Sequence, residues 1–175
     1  MALVVVWSRH GCRRSPAAPI NARIARAAAG RQRRSGGFQQ IAHDPPVVVD
    51  VAHNPAAARM LRDQLAALPG RKFAVFAALG DKDVAVMARI LRPVIERWFP
   101  ASLAGPRGLS AGALSDRIRS VGVETTPDAL ESVAEALERA RAECLDGDSI
   151  IVFGSFLTVA AAFEAISRRN AQAHG

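Results

Sequence analysis

The stretch Val47-Val48-Val49-Asp50-Val51-Ala52-His53-Asn54-Pro55 decides how this chain reads. A β-branched run is a buried strand, and Asp50 stands at its carboxyl end. His53 and Asn54 follow on a tight turn. Pro55 then opens a helix at the position where a missing N–H costs nothing. In open α/β sheets ligands sit beyond the carboxyl ends of the strands, so Asp50 and His53 stand where a binding site is built. Taken singly, Asn54 reads as a helix cap, Asp50 as a turn acid and His53 as an exposed loop histidine. Taken together they form a site-like unit.

Working outward, strands and helices alternate. Residues 38–42 read as a strand, 43–46 as a turn and 47–51 as a second strand. A helix over 55–68 is ended by Pro69-Gly70. Residues 72–79 are a near-continuous apolar strand of the kind buried on both faces of a parallel sheet. After the turn Gly80-Asp81-Lys82-Asp83, a helix carries Val84, Met87, Ala88, Leu91 and Ile95 at helical spacing. Further strands are expected over 98–103, 121–125 and 149–153. Helices are expected over 109–120 with Ser110 as cap, from 126 with the stripe Leu130, Val133, Leu137, Ala140 and Cys144, and over about 157–167. The fold class is therefore α/β, a Rossmann-like three-layer sandwich around a mostly parallel sheet.

With 175 residues and 50% hydrophobic composition, the chain supports one proper core. No stretch approaches the ~20 apolar residues of a membrane helix, and residues 1–7 make a poor secretory signal. Cys12 and Cys144 lie far apart, no CxxC occurs, and a reducing, cytoplasmic setting follows. The sequence pI near 11.1 invites a nucleic-acid reading. Yet residues 1–43 hold eight arginines and no acid, leaving 15 Lys and Arg against 16 acids in the remainder. The basicity thus belongs to the first quarter. With 5% aromatics, the body lacks a basic stripe with interleaved stacking residues, which argues against nucleic acid.

Three turns lie at strand carboxyl ends and precede helices: 50–54, 80–83 and 154–156. Gly154-Ser155 offers N–H groups and a hydroxyl at a helix N-terminus, suited to a carboxylate or phosphate or equally to a plain cap. In Asp81-Lys82-Asp83 one acid can cap the helix. Lys82 at a positive helix end points to an anionic partner, a substrate carboxylate or a neighbouring acid, or else to a solvated surface charge. No phosphate loop, no GxGxxG and no GxSxG elbow occurs, and the histidines make no metal constellation.

Four motifs in order carry a resemblance: Asp-Val-Ala-His-Asn-Pro at 50–55, Leu-Gly-Asp-Lys-Asp at 79–83, Gly-Pro-Arg-Gly at 105–108 and Val-Phe-Gly-Ser-Phe-Leu-Thr-Val-Ala at 152–160. Over residues 38–167 the chain resembles the C-terminal domain of bacterial dihydrofolate synthase/folylpolyglutamate synthase, in the Mur ligase superfamily. The resemblance implies an enzyme that uses ATP and Mg2+ to convert a pteroate or folate carboxylate to an acyl phosphate, which the amino group of L-glutamate then attacks. It implies ATP contacts for Asp50, His53 and Asn54, a possible catalytic part for His53, and, by looser analogy, glutamate contacts for Lys82 and Ser155. No metal ligand is assigned. The partner it implies is an N-terminal ligase domain holding most of the ATP and Mg2+.

Two departures stand out. The family usually carries Gly-Arg-Phe-Gln before its first strand, with the arginine on ATP, whereas this chain has Gly36-Gly37-Phe38-Gln39. Such a contact is worth about 1.5–3 kcal/mol. Nor do residues 1–36 resemble the N-terminal domain. They are expected to be a disordered or non-native basic segment, from a truncated, mis-started or frameshifted reading, before a glutamate-ligase domain over 37–175. The other readings are a non-catalytic nucleotide-binding or interaction module and a basic-arm nucleic-acid binder with steeply salt-dependent affinity.

Overall fold

The computed structural model describes residues 37–173. The expectation for residues 1–36, with His10 and Cys12, lies outside the described residues, as does His174. Among the described residues, five strands form one sheet: β1 (Gln39–His43), β2 (Pro46–Asp50), β3 (Lys72–Phe76), β4 (Arg97–Pro100) and β5 (Ser149–Phe153). Their order is β1-β2-β5-β3-β4. The last four run parallel and β1 pairs antiparallel with β2. The helices are α1 (Pro55–Ala66), α2 (Val84–Leu91), α3 (Ala111–Arg119), α4 (Val133–Glu143) and α5 (Phe156–Ala173).

Alternation along each strand builds two cores. Val48, Ala74, Phe76, Ile151 and Phe153 pack with Leu61 and Leu65 of α1, Met87 and Leu91 of α2, and Leu114 and Ile118 of α3. Val47, Val49, Phe73, Val75, Ile150 and Val152 pack with Leu137 of α4 and Ala162 and Ile166 of α5. Both sheet faces are covered, which is why the three central strands β2, β3 and β5 carry unbroken apolar runs at 47–49, 73–76 and 150–153. Phe76 and Phe153 stack with ring centroids 4.5 Å apart, and Trp98 meets Phe153 edge-on at 6.1 Å. The three-layer sandwich read from the sequence is the observed fold.

Several boundaries and two elements differ from the reading. β3 stops at Phe76 and β4 at Pro100, short of the expected 79 and 103. Residues 121–125 do not form a strand. That segment reaches the edge of β4 at isolated points, where Thr126 N donates to the Trp98 carbonyl and Leu130 bridges Ala101. Pro127, lying between these points, has no N–H to continue a ladder. The following helix begins at Val133 rather than 126 because Ser132 caps it, its hydroxyl accepting Glu135 N at 3.1 Å. Glu135 in turn accepts Glu131 N at 2.7 Å, close to a capping box that Ser132-x-x-Glu135 announces. Leu130 is buried, but as a bridge residue.

α2 ends at Leu91 because Pro93 removes the next donor. Ile95 still reaches the core from the turn beyond. The last helix is longer than expected, Phe156–Ala173 instead of 157–167. Cys144, read as core, is the half-buried C-cap of α4. No helix among the described residues is long and apolar enough to cross a membrane.

Candidate functional site

Parallel register fixes where the loops go. Asp50 is level with Phe153, and Phe153 with Phe76. The turns leaving β2, β5 and β3 therefore share one edge of the sheet, its carboxyl edge.

Asp50 ends β2 and is 5% exposed. Its Oδ1 accepts Ala52 N at 2.7 Å, closing the turn that carries His53. Its Oδ2 has no hydrogen bond among the described residues. Burial pushes the carboxyl above its ordinary value, and the Ala52 N–H opposes that only partly. His53 Nδ1 lies 2.9 Å from the Val51 carbonyl. A carbonyl only accepts, so Nδ1 carries the hydrogen and Nε2 of the neutral ring presents a lone pair. Asn54 Nδ2 stands 3.5 Å from that Nε2. Asn54 also caps α1, its Oδ1 accepting Ala57 N at 2.9 Å, with Pro55 opening the helix. The cap and site readings of Asn54 thus hold together.

These three residues line one cleft of about 210 Å³ with Ala57, Met60 and Gln64 of α1. The sequence reading missed Met60 and Gln64, although residues 57, 60 and 64 recur at helical spacing from the site. Gln64 Oε1 is buried without a hydrogen-bond partner. Complete small-molecule sites occupy roughly 300–1,000 Å³, so this cleft has the size of a partial one. Gly37 packs near Val51, which also lines the cleft.

Lys82 and Ser155 lie on loops of the same edge but do not line the cleft. Lys82 Nζ pairs with Asp81 at 2.8 Å and holds that carboxyl below its usual range. Neither acid of the loop caps α2: Asp83 occupies the cap position without a side-chain bond. The loop is instead fixed by the Gly-Pro-Arg-Gly segment. Gly80 N donates to the Arg107 carbonyl at 2.8 Å, and Leu79 bridges Gly108. Arg117 of α3 holds the Gly80 carbonyl at 2.9 Å. Two motifs 26 residues apart in sequence (79 and 105) are thus one structural unit.

Ser155 is buried, and its hydroxyl accepts Thr158 N at 3.0 Å. Thr158 Oγ1 donates to the Ala77 carbonyl at 2.8 Å. Its single hydrogen being used, the 2.7 Å contact between the hydroxyls is a bond from Ser155 to Thr158. Ser155 therefore caps the helix and has its proton engaged, with one lone pair left.

A broader hollow of about 790 Å³ lies at the opposite, amino edge, lined by His43, Asp44, Arg141, Cys144 and Asp148 among others. Arg141 Nε is buried there without a hydrogen-bond partner, whereas Asp148 is engaged elsewhere. Asp148 is bound by Arg71 at 2.6 Å and by Leu145 N at 2.8 Å. Burial first pushes the Cys144 thiol up to about 11, which makes it inert at neutral pH.

A buried carboxyl with a raised pKa and a free oxygen reduces stability when ionised, and such groups cluster at sites. The native state holds the Asp50 proton more tightly than the unfolded chain does. Its favourable contribution is full below the unfolded pKa and is lost as pH rises through the folded one. Asp50→Asn, whose amide oxygen can still accept Ala52 N, is expected to stabilise the chain at pH 7 by about 0.5–2 kcal/mol. Thermal melts from pH 3 to 8 check this: the gain should open with rising pH, and a variant less stable than wild type at pH 7 contradicts it.

The model of the family described as "Mur ligase, glutamate ligase domain" matches residues 36–156. The chain belongs to this family. This ligase domain is 39% identical to the dihydrofolate synthase/folylpolyglutamate synthase of Escherichia coli over 137 residues, 77% of this chain and 31% of that protein. It is 37% identical to the Haemophilus influenzae protein of the same name, covering 66% of this chain and 28% of that one. It thus spans about a third of the length of these curated relatives. Among solved structures, E. coli FolC in complex with DHPP and ADP superposes with a TM-score of 0.69 at 39% identity, over 76% of this chain and 31% of that one. A bifunctional folylpolyglutamate synthase/dihydrofolate synthase with Mn, AMPPNP and L-glutamate bound gives 0.65 at 37% identity, over 77% and 32%.

Proposed function

We propose that this ligase domain is the C-terminal lobe of an ATP-dependent enzyme that joins L-glutamate to dihydropteroate or (tetrahydro)folate in cytoplasmic folate biosynthesis. The observation that carries the reading is the Asp50 cleft: a carboxylate held buried against its own stability, with one oxygen unbonded, beside a capped helix N-terminus. A carboxylate oxygen so placed accepts hydroxyl hydrogens, as a ribose diol supplies. His53 Nε2 and the Asn54 amide add an acceptor and a donor at the same wall.

The reaction needs a poor acyl donor activated and then attacked where water is excluded. ATP converts the pteroate or folate carboxylate to an acyl phosphate, and the glutamate amine displaces phosphate to leave an amide. Lys82 would draw the glutamate carboxylate, in exchange for Asp81. Ser155, with only a lone pair to offer, would accept a hydrogen from the glutamate amino group. Bound magnesium neutralises phosphate charge. In this reading its ligands belong to the N-terminal lobe, as the resemblance implies.

The partial cleft and the one-third coverage give the test. The purified chain is expected to release no ADP in a glutamate-dependent manner with dihydropteroate or tetrahydrofolate, in a coupled assay sensitive to one turnover per hour. Steady turnover by the chain alone contradicts the incomplete-site reading. Nucleotide binding lost in Asp50→Ala, in a chain that gains no activity with any N-terminal lobe, favours a non-catalytic nucleotide-binding module instead.

A further inference from the structure

The hollow at the amino edge holds a cation whose hydrogens the fold leaves largely unused. Arg141 lies in the last turn of α4 with its side chain 8% exposed. A guanidinium carries five N–H hydrogens. Among the described residues they make one long bond, from Nη1 to the Asp44 carbonyl at 3.4 Å. Nε is buried without a partner. Glu138 does not supply one: its Oε1 is 3.9 Å away, and its Oε2 is held by Arg169 at 2.8 Å. Burial, and then the neighbouring Arg169, pull the guanidinium below its ordinary value against the opposing pull of Glu138, Cys144 and Asp44. Burying a charge without its full set of hydrogen bonds is costly, and an anion is the usual compensation.

The rest of the lining says which anion. Gln40 Nε2 donates to the Ala42 carbonyl at 2.9 Å, which fixes the amide, and its second hydrogen meets His43 Nδ1 at 3.1 Å. The neutral His43 ring therefore carries its own hydrogen on Nε2, a second donor in the same lining. Pro45, Pro46 and Leu145 add apolar surface, and Leu145 is 70% exposed. Asp44 and Asp146 also line the hollow, so a doubly charged anion is repelled where a singly charged one is tolerated. Asp148 is neutralised by Arg71. The volume of about 790 Å³ falls within the roughly 300–1,000 Å³ of complete small-molecule sites.

We propose that this hollow binds a small monocarboxylate with an apolar body. The arginine fork matches the two oxygens of a carboxylate, His43 Nε2 adds a further hydrogen, and the body rests on Pro45, Pro46 and Leu145. The site shares no residue with the Asp50 cleft and stands independently of the ligase reading.

NMR titration of the full chain with 3-phenylpropionate tests it. Saturable shifts are expected at residues 43–46 and 141–148. Inorganic phosphate, and 3-phenylpropanol, which lacks the charge, should each bind at least roughly tenfold more weakly. Arg141→Met keeps an apolar stem in place of the cation. It should weaken 3-phenylpropionate binding by roughly tenfold or more, while melting at or above the wild-type temperature because an unpaired buried charge is gone. His43→Ala, at an exposed strand end, is a second variant that should weaken binding several-fold without moving the melt. Arg62→Met, on α1, should bind as wild type does. No saturable shifts, equal binding of phosphate or the alcohol, or binding indifferent to both Arg141→Met and His43→Ala overturns the proposal. An Arg141→Met protein that melts well below wild type assigns the guanidinium to the fold and overturns it as well.

Discussion

Gly154→Ala is expected to destabilise the protein by about 3–5 kcal/mol and to lower its melting temperature by roughly 10–20 °C. Gly154 adopts φ +123°, outside the range alanine occupies without strain. A Cβ there would lie 2.2 Å from the Ala77 carbonyl oxygen and 2.7 Å from the Phe76 ring. Backbone strain of this kind costs about 1–3 kcal/mol, and forcing a methyl into a packed core about as much again. Neither neighbour yields easily. Phe76 is fully buried and stacked on Phe153, and the Ala77 carbonyl accepts the Thr158 hydroxyl that ties α5 to β3. Domains of this size are stable by about 5–15 kcal/mol, so the loss is a large share of the total. Gly112→Ala serves as control, since nothing lies within 4 Å of a Cβ at that position in α3. Melting curves decide it: Gly154→Ala within two or three degrees of wild type contradicts the close approach of β3, β5 and α5 at this point.

The same glycine shows how the sequence could and could not be read. Gly154-Ser155 was legible as a turn before a helix, because glycine, hydroxyl and an apolar stripe follow one another locally. Whether Ser155 caps or binds was not, since the answer lies in Thr158 and the Ala77 carbonyl, 81 residues apart. The β2–Asp50–Asn54–α1 unit was readable almost whole, as its logic is local: a β-branched run, a capping side chain and a proline at the first helical position. The parallel sheet followed from the unbroken apolar runs in β2, β3 and β5. Strand order did not, because β5 inserts between β2 and β3 and pairs residues a hundred positions apart. The late start of α4 has a local cause in Ser132 and Glu135. Lys82 left two partners open, and proximity to Asp81 settles its resting one. No local pattern could reveal that the segments at 79–83 and 105–108 brace each other.

Joining the domain to the part its relatives carry in addition is expected to produce activity. Asp50 is the residue on which that activity should depend most. A hydrogen bond to a charged group is worth about 1.5–3 kcal/mol, so losing the Asp50 carboxylate should weaken nucleotide use roughly ten- to a hundredfold. The fold should survive Asp50→Asn, because the amide oxygen still accepts Ala52 N and the buried charge is gone. A stable protein with impaired turnover separates a site residue from a structural one.

The most direct measurement is therefore made on the E. coli enzyme with its matching C-terminal third replaced by residues 37–173. Glutamate-dependent ADP release is expected from this protein, falling at least tenfold in Asp50→Asn through a raised KM for ATP, with an unchanged or higher melting temperature because the amide oxygen still accepts Ala52 N. A well-folded chimera that releases no ADP in response to glutamate, or one indifferent to Asp50→Asn, contradicts this.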